Sequence, residues 1–571
     1  MPLVSVDGST SLPSMSRATN SWILGFARTL FLVCCAATLR AQGSFESHLQ
    51  RARQYLDHSA FGLRVSGRDI LGLSEDPRAF DLLLKIYREP EEPVEFSRSV
   101  TASILGSCFV KPEFGPLWER ARRQHRRSAD AWLWHQSVLA SCTGDPMVWM
   151  PVAESVDSPW LRAATVSAAG IRIGHGSRHV QHLDSLTKLL DGTRGKSLEI
   201  HLMLESAIAS YETAGPDMAD RDRAGLEALV SRFHSEPRDP RSMHVVARSI
   251  SRATGTPNFG PHMLRWLALL AAGDQHEAKV RRASTSAEIP TQFFGLREHA
   301  QRICYVIDAS DSMLEPLTAQ ERTQLAPITG RSLAESGVGG YMPSDIDQLL
   351  DWSKIVTRFD AARALFRHSV TRLRSDQYFC VLLFGSRAQT LDSTPRLMAA
   401  SKHNVAMACD EMDMLRERKQ GGRKARKVLL GDTNMHAGLV MAFRMTARGV
   451  SDKDAALSQE FFDTGADAIF LLSDGFPNTD DFPGEDVIKG PGGTVVGSLE
   501  HPGEGRTEAY QGPIRVQGPF ASGRRIAEDV ARLNLFRRCA IHAVGLGEAD
   551  DSLLESIARI GGGTTLQVGQ R

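Results

Sequence analysis

Arg302-Ile303-Cys304-Tyr305-Val306-Ile307-Asp308-Ala309-Ser310-Asp311-Ser312-Met313 begins as an unbroken apolar run and ends in D-x-S-x-S, a carboxylate and two hydroxyls at alternate positions. A short apolar run bounded by polar residues predicts a strand buried on both faces, as in a parallel sheet. In open α/β sheets, ligands bind at the loops leaving the carboxyl ends of the strands. A tight turn there would aim Asp308, Ser310 and Ser312 at one point, giving three hard oxygen donors suited to Mg²⁺ or Mn²⁺. Taken alone, the triplet is a weak signal, because D-x-S-x-S arises by chance in many chains.

Two later stretches strengthen it. Gly431-Asp432-Thr433-Asn434-Met435-His436-Ala437-Gly438-Leu439 sets a threonine hydroxyl at a loop-to-helix junction. Ala468-Ile469-Phe470-Leu471-Leu472-Ser473-Asp474-Gly475 is a second apolar run closing in a carboxylate and a glycine. In this order the three pieces resemble the von Willebrand factor A (VWA) family and its metal-ion-dependent adhesion site (MIDAS). The resemblance covers roughly the second half of the chain. It implies that Asp308, Ser310, Ser312, Thr433 and Asp474 are metal ligands and that the fold is a doubly wound, Rossmann-like α/β domain. One residue departs from the family pattern, which usually has glycine between the two serines; here it is Asp311. Aspartate tolerates turn conformations. Its extra carboxylate either raises cation affinity or makes a solvated contact.

Outward from these stretches the chain alternates apolar runs with helical periodicity. Helices are expected over 354–373, 395–415, 434–448, 523–536 and 551–560. Strands are expected over 378–384, 540–544 and 564–568, with a short edge strand at 388–391. Alternation of this kind predicts an α/β layer fold. Segments 317–352 and 480–522 interrupt it as long Gly- and Pro-bearing insertions leaving the same sheet edge, so both should surround the metal. Residues 416–427 form a basic run, read as a solvated hinge or as a positive rim that attracts an acidic partner. Residues 286–300 read as a linker in which Phe293-Phe294 packs against the sheet's edge.

The first half is different. Apolar residues recur at three- and four-residue spacings, broken by turn signals. Ile70-Leu71-Gly72 leads to Asp76-Pro77, Ile104-Leu105-Gly106 to Lys111-Pro112, and Val138-Leu139-Ala140 to Asp145-Pro146, in steps of 34 to 35 residues. Helix pairs at such a period cannot bury their apolar faces alone and stack. The stretch resembles divergent HEAT-type repeats, implying an α-solenoid over 42–285 that offers a surface to a second protein partner; a plain helical domain or rigid spacer is the alternative. The scattered Trp132, Trp134, His135 and His201 read as core or surface residues.

Composition bounds the rest. The chain has 571 residues, 67 basic and 67 acidic, for a formal net charge of zero. That length predicts more than one domain, and the balance gives no ground for nucleic-acid binding or an anionic membrane surface. Trp22 to Leu39 is mostly apolar but carries Arg28, and small residues follow at Ala36, Ala37 and Ala41. This is the layout of a signal peptide over 1–41, leaving no membrane span after cleavage; an uncleaved anchor would have to place Arg28 at membrane depth. Six of the eight cysteines lie beyond it, with no C-x-x-C pair, so zinc is not expected and disulfides are permitted but not required.

These readings converge on an exported, non-enzymatic binding protein: a helical scaffold joined to a VWA domain over 301–571 that captures a partner's Asp or Glu carboxylate through a divalent cation. The alternatives are a metal-assisted hydrolase and a structural cell-envelope component with a stabilising metal. A hydrolase needs a general base near the ion, and His436 and Asp311 are the only nearby candidates. His436 is expected on the surface of the following helix or packed against its loop. No H-E-x-x-H, G-x-S-x-G or G-x-x-x-x-G-K-[ST] motif is present.

Overall fold

The computed structural model describes residues 45–142, 145–173, 185, 197–209, 211, 220–235, 240–272, 290–325, 354–415, 431–482, 484–486, 488–489, 495–497, 514–516 and 518–569. The expected signal peptide, the basic run at 416–427 and most of the insertion at 317–352 lie outside them.

Six helices of the first half form a row: α1 (Phe61–Gly72), α2 (Val94–Cys108), α3 (Ala131–Ser141), α4 (Pro159–Ile173), α5 (Ser197–Ala209) and α6 (Pro240–Thr254). Each touches the next. Other helices such as Pro77–Arg88 and Pro146–Glu154 alternate with them. The Asp-Pro pairs of the repeat are helix starts. Asp76 accepts from Arg78 N at 2.8 Å and Asp145 from Met147 N at 2.9 Å, with Pro77 and Pro146 at the first helical position, where a missing N–H costs nothing. The repeated Ile-Leu-Gly marks the contact between neighbours. A Cβ on Gly72 would stand 2.8 Å from Cys108 Sγ, and one on Gly106 2.8 Å from Gln136 Cβ. Glycine therefore sets how closely α1 approaches α2, and α2 approaches α3.

The second half is built on a seven-stranded sheet. Its strands are β3 (Arg302–Asp308), β4 (Tyr378–Phe384), β5 (Ala388–Thr390), β6 (Met398–Ala399), β7 (Ala468–Ser473), β8 (Ala540–Leu546) and β9 (Thr565–Val568), preceded in the chain by the hairpin β1 (Thr291–Phe293) and β2 (Leu296–Glu298). The order is β9-β8-β7-β3-β4-β5, with β6 also on β4. β9, β8, β7, β3 and β4 run parallel, and β5 and β6 are antiparallel to β4. β3 and β7 are buried over nearly their whole length, as continuous apolar runs in a covered parallel sheet must be.

Alternate residues of β3 enter two cores. Ile303, Tyr305 and Ile307 pack with Phe359 and Phe366 of α7 (Arg358–Val370) and Met412 of α8 (Lys402–Met414). Cys304 and Val306 face Leu439 of α9 (Met435–Arg444), Ile526 of α10 (Gly523–Asn534) and Leu553 of α11 (Asp551–Gly561). Phe293 lies on the first face rather than at the sheet's edge: its ring centroid is 5.3 Å from that of Tyr305 and 5.6 Å from that of Phe470. The helix expected from Pro395 begins only at Lys402, because Met398–Ala399 pairs with β4 and Ser401 caps the helix, accepting from Asn404 N at 3.2 Å. From the second insertion, Gly484–Asp486 pairs antiparallel with Ile514–Val516.

The second core continues into the helical row without a break. Phe96 of α2 meets His436, Phe482 and Phe520 at centroid distances of 5.5, 5.2 and 5.4 Å. Trp160 of α4 meets Phe536 at 5.0 Å, and Arg241 of α6 donates to the Arg537 carbonyl at 2.9 Å. One face of the row is thus taken up by the chain's own α9 and α10. No helix of the described residues is long and apolar enough to cross a membrane.

Candidate metal centre

The five expected ligands gather at the carboxyl ends of the central strands. Asp308 ends β3, Ser310 and Ser312 lie in the turn after it, Asp474 follows β7, and Thr433 precedes α9. β3 and β7 are parallel neighbours, so their last residues emerge side by side. Asp311 N donates to the Gly431 carbonyl at 3.2 Å, and Asn478 N donates to the Thr433 carbonyl at 3.1 Å. The Asn478 side chain returns a bond, accepting from Thr433 N at 2.8 Å. These bonds hold three loops distant in sequence against one another.

The side chains form a chain of contacts. Ser310 N donates to Asp308 Oδ1 at 2.9 Å, and Ser473 Oγ to Asp308 Oδ2 at 2.7 Å. The Ser310 and Ser312 hydroxyls are 3.0 Å apart, and Ser312 Oγ donates to Asp474 Oδ1 at 2.7 Å. A Cβ built on Gly475 would lie 3.9 Å from Ser312 Oγ and 4.0 Å from Thr433 Oγ1, so these two hydroxyls flank the glycine. Thr433 is 4 % exposed and Asp308 fully buried. Asp311, between the serines, is exposed.

Burial pushes the Asp308 carboxyl up to about 7; the nearby Asp474 charge adds to the rise, and the bonds from Ser310 and Ser473 oppose it. Burial likewise raises Asp474, against the bonds from Ser312 and Arg358. No cation pairs with Asp308 among the described residues. A buried carboxylate beside another, held only by hydroxyl and amide donors, is a poor host for its own charge and a good one for a divalent cation. The donor set, two carboxylates and three hydroxyls, is all hard oxygen. The residues therefore fit Mg²⁺ or Mn²⁺. Among the described residues no group of three or more His, Cys, Asp or Glu side chains is placed to hold a metal, so any site here depends on its hydroxyls.

Three neighbours were not legible from the sequence. Ser473 bonds Asp308 from the adjacent strand. Asn478 tethers Thr433. Arg358, at the first position of α7, donates to Asp474 Oδ2 at 3.1 Å, Glu321 Oε1 at 3.1 Å and Glu315 Oε2 at 3.0 Å. Ser473 and Asn478 lie close to Asp474 in sequence and offered a local hint, but nothing in the sequence tied Arg358 to the site.

His436 sits neither on the surface nor against its loop. Its Nε2 is 3.0 Å from Asp529 Oδ2, its ring stacks on Phe520 at 3.9 Å with an interplanar angle of 2°, and it is 2 % exposed. Three residues after Thr433, a helical turn carries the imidazole into the seam with α10 and α2.

Among solved structures, the von Willebrand factor type A protein from Catenulispora acidiphila resembles this chain with a TM-score of 0.24 and 14 % identity, over 48 % of this chain and 40 % of that one. The chain thus spans less than half of that protein. No family model matches the chain, and no curated protein does.

Proposed function

We propose that this chain is an exported binding protein whose second half is a VWA-type domain with a metal-ion-dependent adhesion site, carried on HEAT-like repeats. The observation that supports this best is the meeting of Asp308, Ser310, Ser312, Thr433 and Asp474 at the ends of β3 and β7, with the Asp308 carboxylate buried and without a cationic partner among the described residues. Asp308, Ser310, Ser312, Thr433 and Asp474 would hold Mg²⁺ or Mn²⁺. The ion would supply an electrophilic position for an incoming Asp or Glu carboxylate. With few charges touching it, such an ion would keep that electrophilicity. The chain's own residues position the ligands: Ser473 orients Asp308, Asn478 fixes the Thr433 loop, and Arg358 holds Asp474. The helical half acts as a scaffold bracing α9, whose first turn follows Thr433.

Arg358 favours a second reading, a structural centre in which the guanidinium already neutralises Asp474 and any metal serves stability alone. One experiment separates the two. Calorimetric titration of Mg²⁺ and Mn²⁺ into the wild type and Asp308→Ala should show uptake only in the wild type, with circular dichroism unchanged. A pull-down from envelope extract with Mg²⁺, then with chelator, should release a bound protein. Absence of metal uptake by the wild type overturns the adhesion reading, and uptake without metal-dependent capture leaves the structural one.

A further inference from the structure

Between the helical row and the α/β half lies a cavity of about 290 Å³, apart from the metal centre. Tyr87, Trp132, Leu457, Leu535 and Phe536 supply an apolar wall. Trp132 is fixed in place: its ring stacks on His135 at 5.3 Å with an interplanar angle of 7°, and its Nε1 donates to Ser103 Oγ at 3.1 Å. Seams of this kind are where small-molecule sites concentrate, with a mostly apolar lining and a few placed polar groups.

Four charged side chains line the cavity: Glu95, Arg98, Asp454 and Arg532. Arg532 is held by Asp529 and Glu95, each at 2.8 Å, and Glu95 is also held by Arg444 at 2.7 Å. Asp454 accepts from Ala456 N at 2.9 Å, and burial raises its carboxyl above the usual range. Arg98 differs. Its guanidinium stands 5.9 Å from the Tyr87 ring centroid, its buried Nε meets no acceptor, and among the described residues no carboxylate pairs with it. A guanidinium that no described carboxylate pairs, beside aromatic walls, is suited to a planar carboxylate. Glu95 and Asp454 line the same cavity, and like charge in a partly desolvated site disfavours a doubly charged phosphate more than a singly charged carboxylate.

We propose that this cavity binds a small amphipathic monocarboxylate, its anionic group on Arg98 and its apolar or aromatic body among Tyr87, Trp132 and Phe536. The site is independent of the metal centre, so it is tested on the full chain in chelator. Phenylpropanoate and octanoate should bind by calorimetry and raise the melting temperature. Phenylpropanamide, matched in shape but uncharged, should bind at least roughly tenfold more weakly, as should phenylpropanoate to Arg98→Ala, because a charged hydrogen bond is lost. Ala129→Trp, at an exposed lining position, should block binding with Arg98 intact, and it decides the matter if Arg98→Ala fails to fold. The proposal is overturned if neither acid binds the wild type, if amide and acid bind equally, or if Ala129→Trp binds as the wild type does.

Discussion

Replacing Asp529 by alanine tests how firmly the helical row is joined to the α/β half. Asp529 is 1 % exposed and lies on α10. It takes a bond from Ser99 Oγ of α2 at 3.0 Å, one from Arg532 Nε at 2.8 Å, and a contact with His436 Nε2 of α9 at 3.0 Å. One carboxylate thus links three helices from both halves. Removing a partner from a buried ion pair costs about 3–5 kcal/mol when the remaining charge is left bare. Arg532 keeps Glu95 at 2.8 Å, which lowers that cost. Ser99 is left without its buried acceptor, adding about 1 kcal/mol or more. The expected loss is about 3–4 kcal/mol. Urea unfolding followed by tryptophan fluorescence measures it, because Trp118, Trp149 and Trp266 are all buried in the helical half. The emission transition should move to lower urea and separate from that of the α/β half. Burial raises the Asp529 carboxyl, but Arg532 and His436 outweigh it and hold the group well below the usual range. A depressed carboxylate stabilises the fold above its unfolded pKa and ceases to do so as pH falls through its folded value, so wild type and Asp529→Ala should converge in strong acid. A loss under about 1 kcal/mol, or one that does not shrink on acidification, would refute the reasoning.

Two further outcomes concern other buried groups. Burial raises Glu298, but the bond from His542 at 3.1 Å and the Arg248 charge bring it from an ordinary 4.5 down to about 2. Its contribution, on the order of 3 kcal/mol, should be present above about pH 4.5 and vanish as pH falls toward 2, and Glu298→Gln should flatten that dependence in acid unfolding curves. The Cys304 and Cys380 thiols lie 3.0 Å apart on paired strands, and burial pushes Cys304 well above the usual thiol range and Cys539 up to about 12. Iodoacetamide should label none of the three in the native protein and all three in denaturant; prompt native labelling of Cys304, read by peptide mass spectrometry, would contradict this packing.

Local chemistry was enough to specify much of this molecule. The apolar runs at 302–308, 378–384 and 468–473 became β3, β4 and β7, because a continuous apolar strand is stable only when both faces are covered. The Asp-Pro pairs became helix starts, because a short carboxylate followed by proline satisfies a helix N-terminus without help from afar. The positions of Asp308, Ser310, Ser312, Thr433 and Asp474 at strand and helix ends were legible for the same reason. Other features depend on distant surfaces meeting. Arg358 reaches Asp474 across 116 positions of the chain, and Ser99 reaches Asp529 across 430. Phe293 chose a sheet face over an edge, and His436 the seam over solvent, because apolar and aromatic surface is buried wherever complementary surface already stands. Periodicity reports which side of a helix is apolar, and only the tertiary structure decides what covers it.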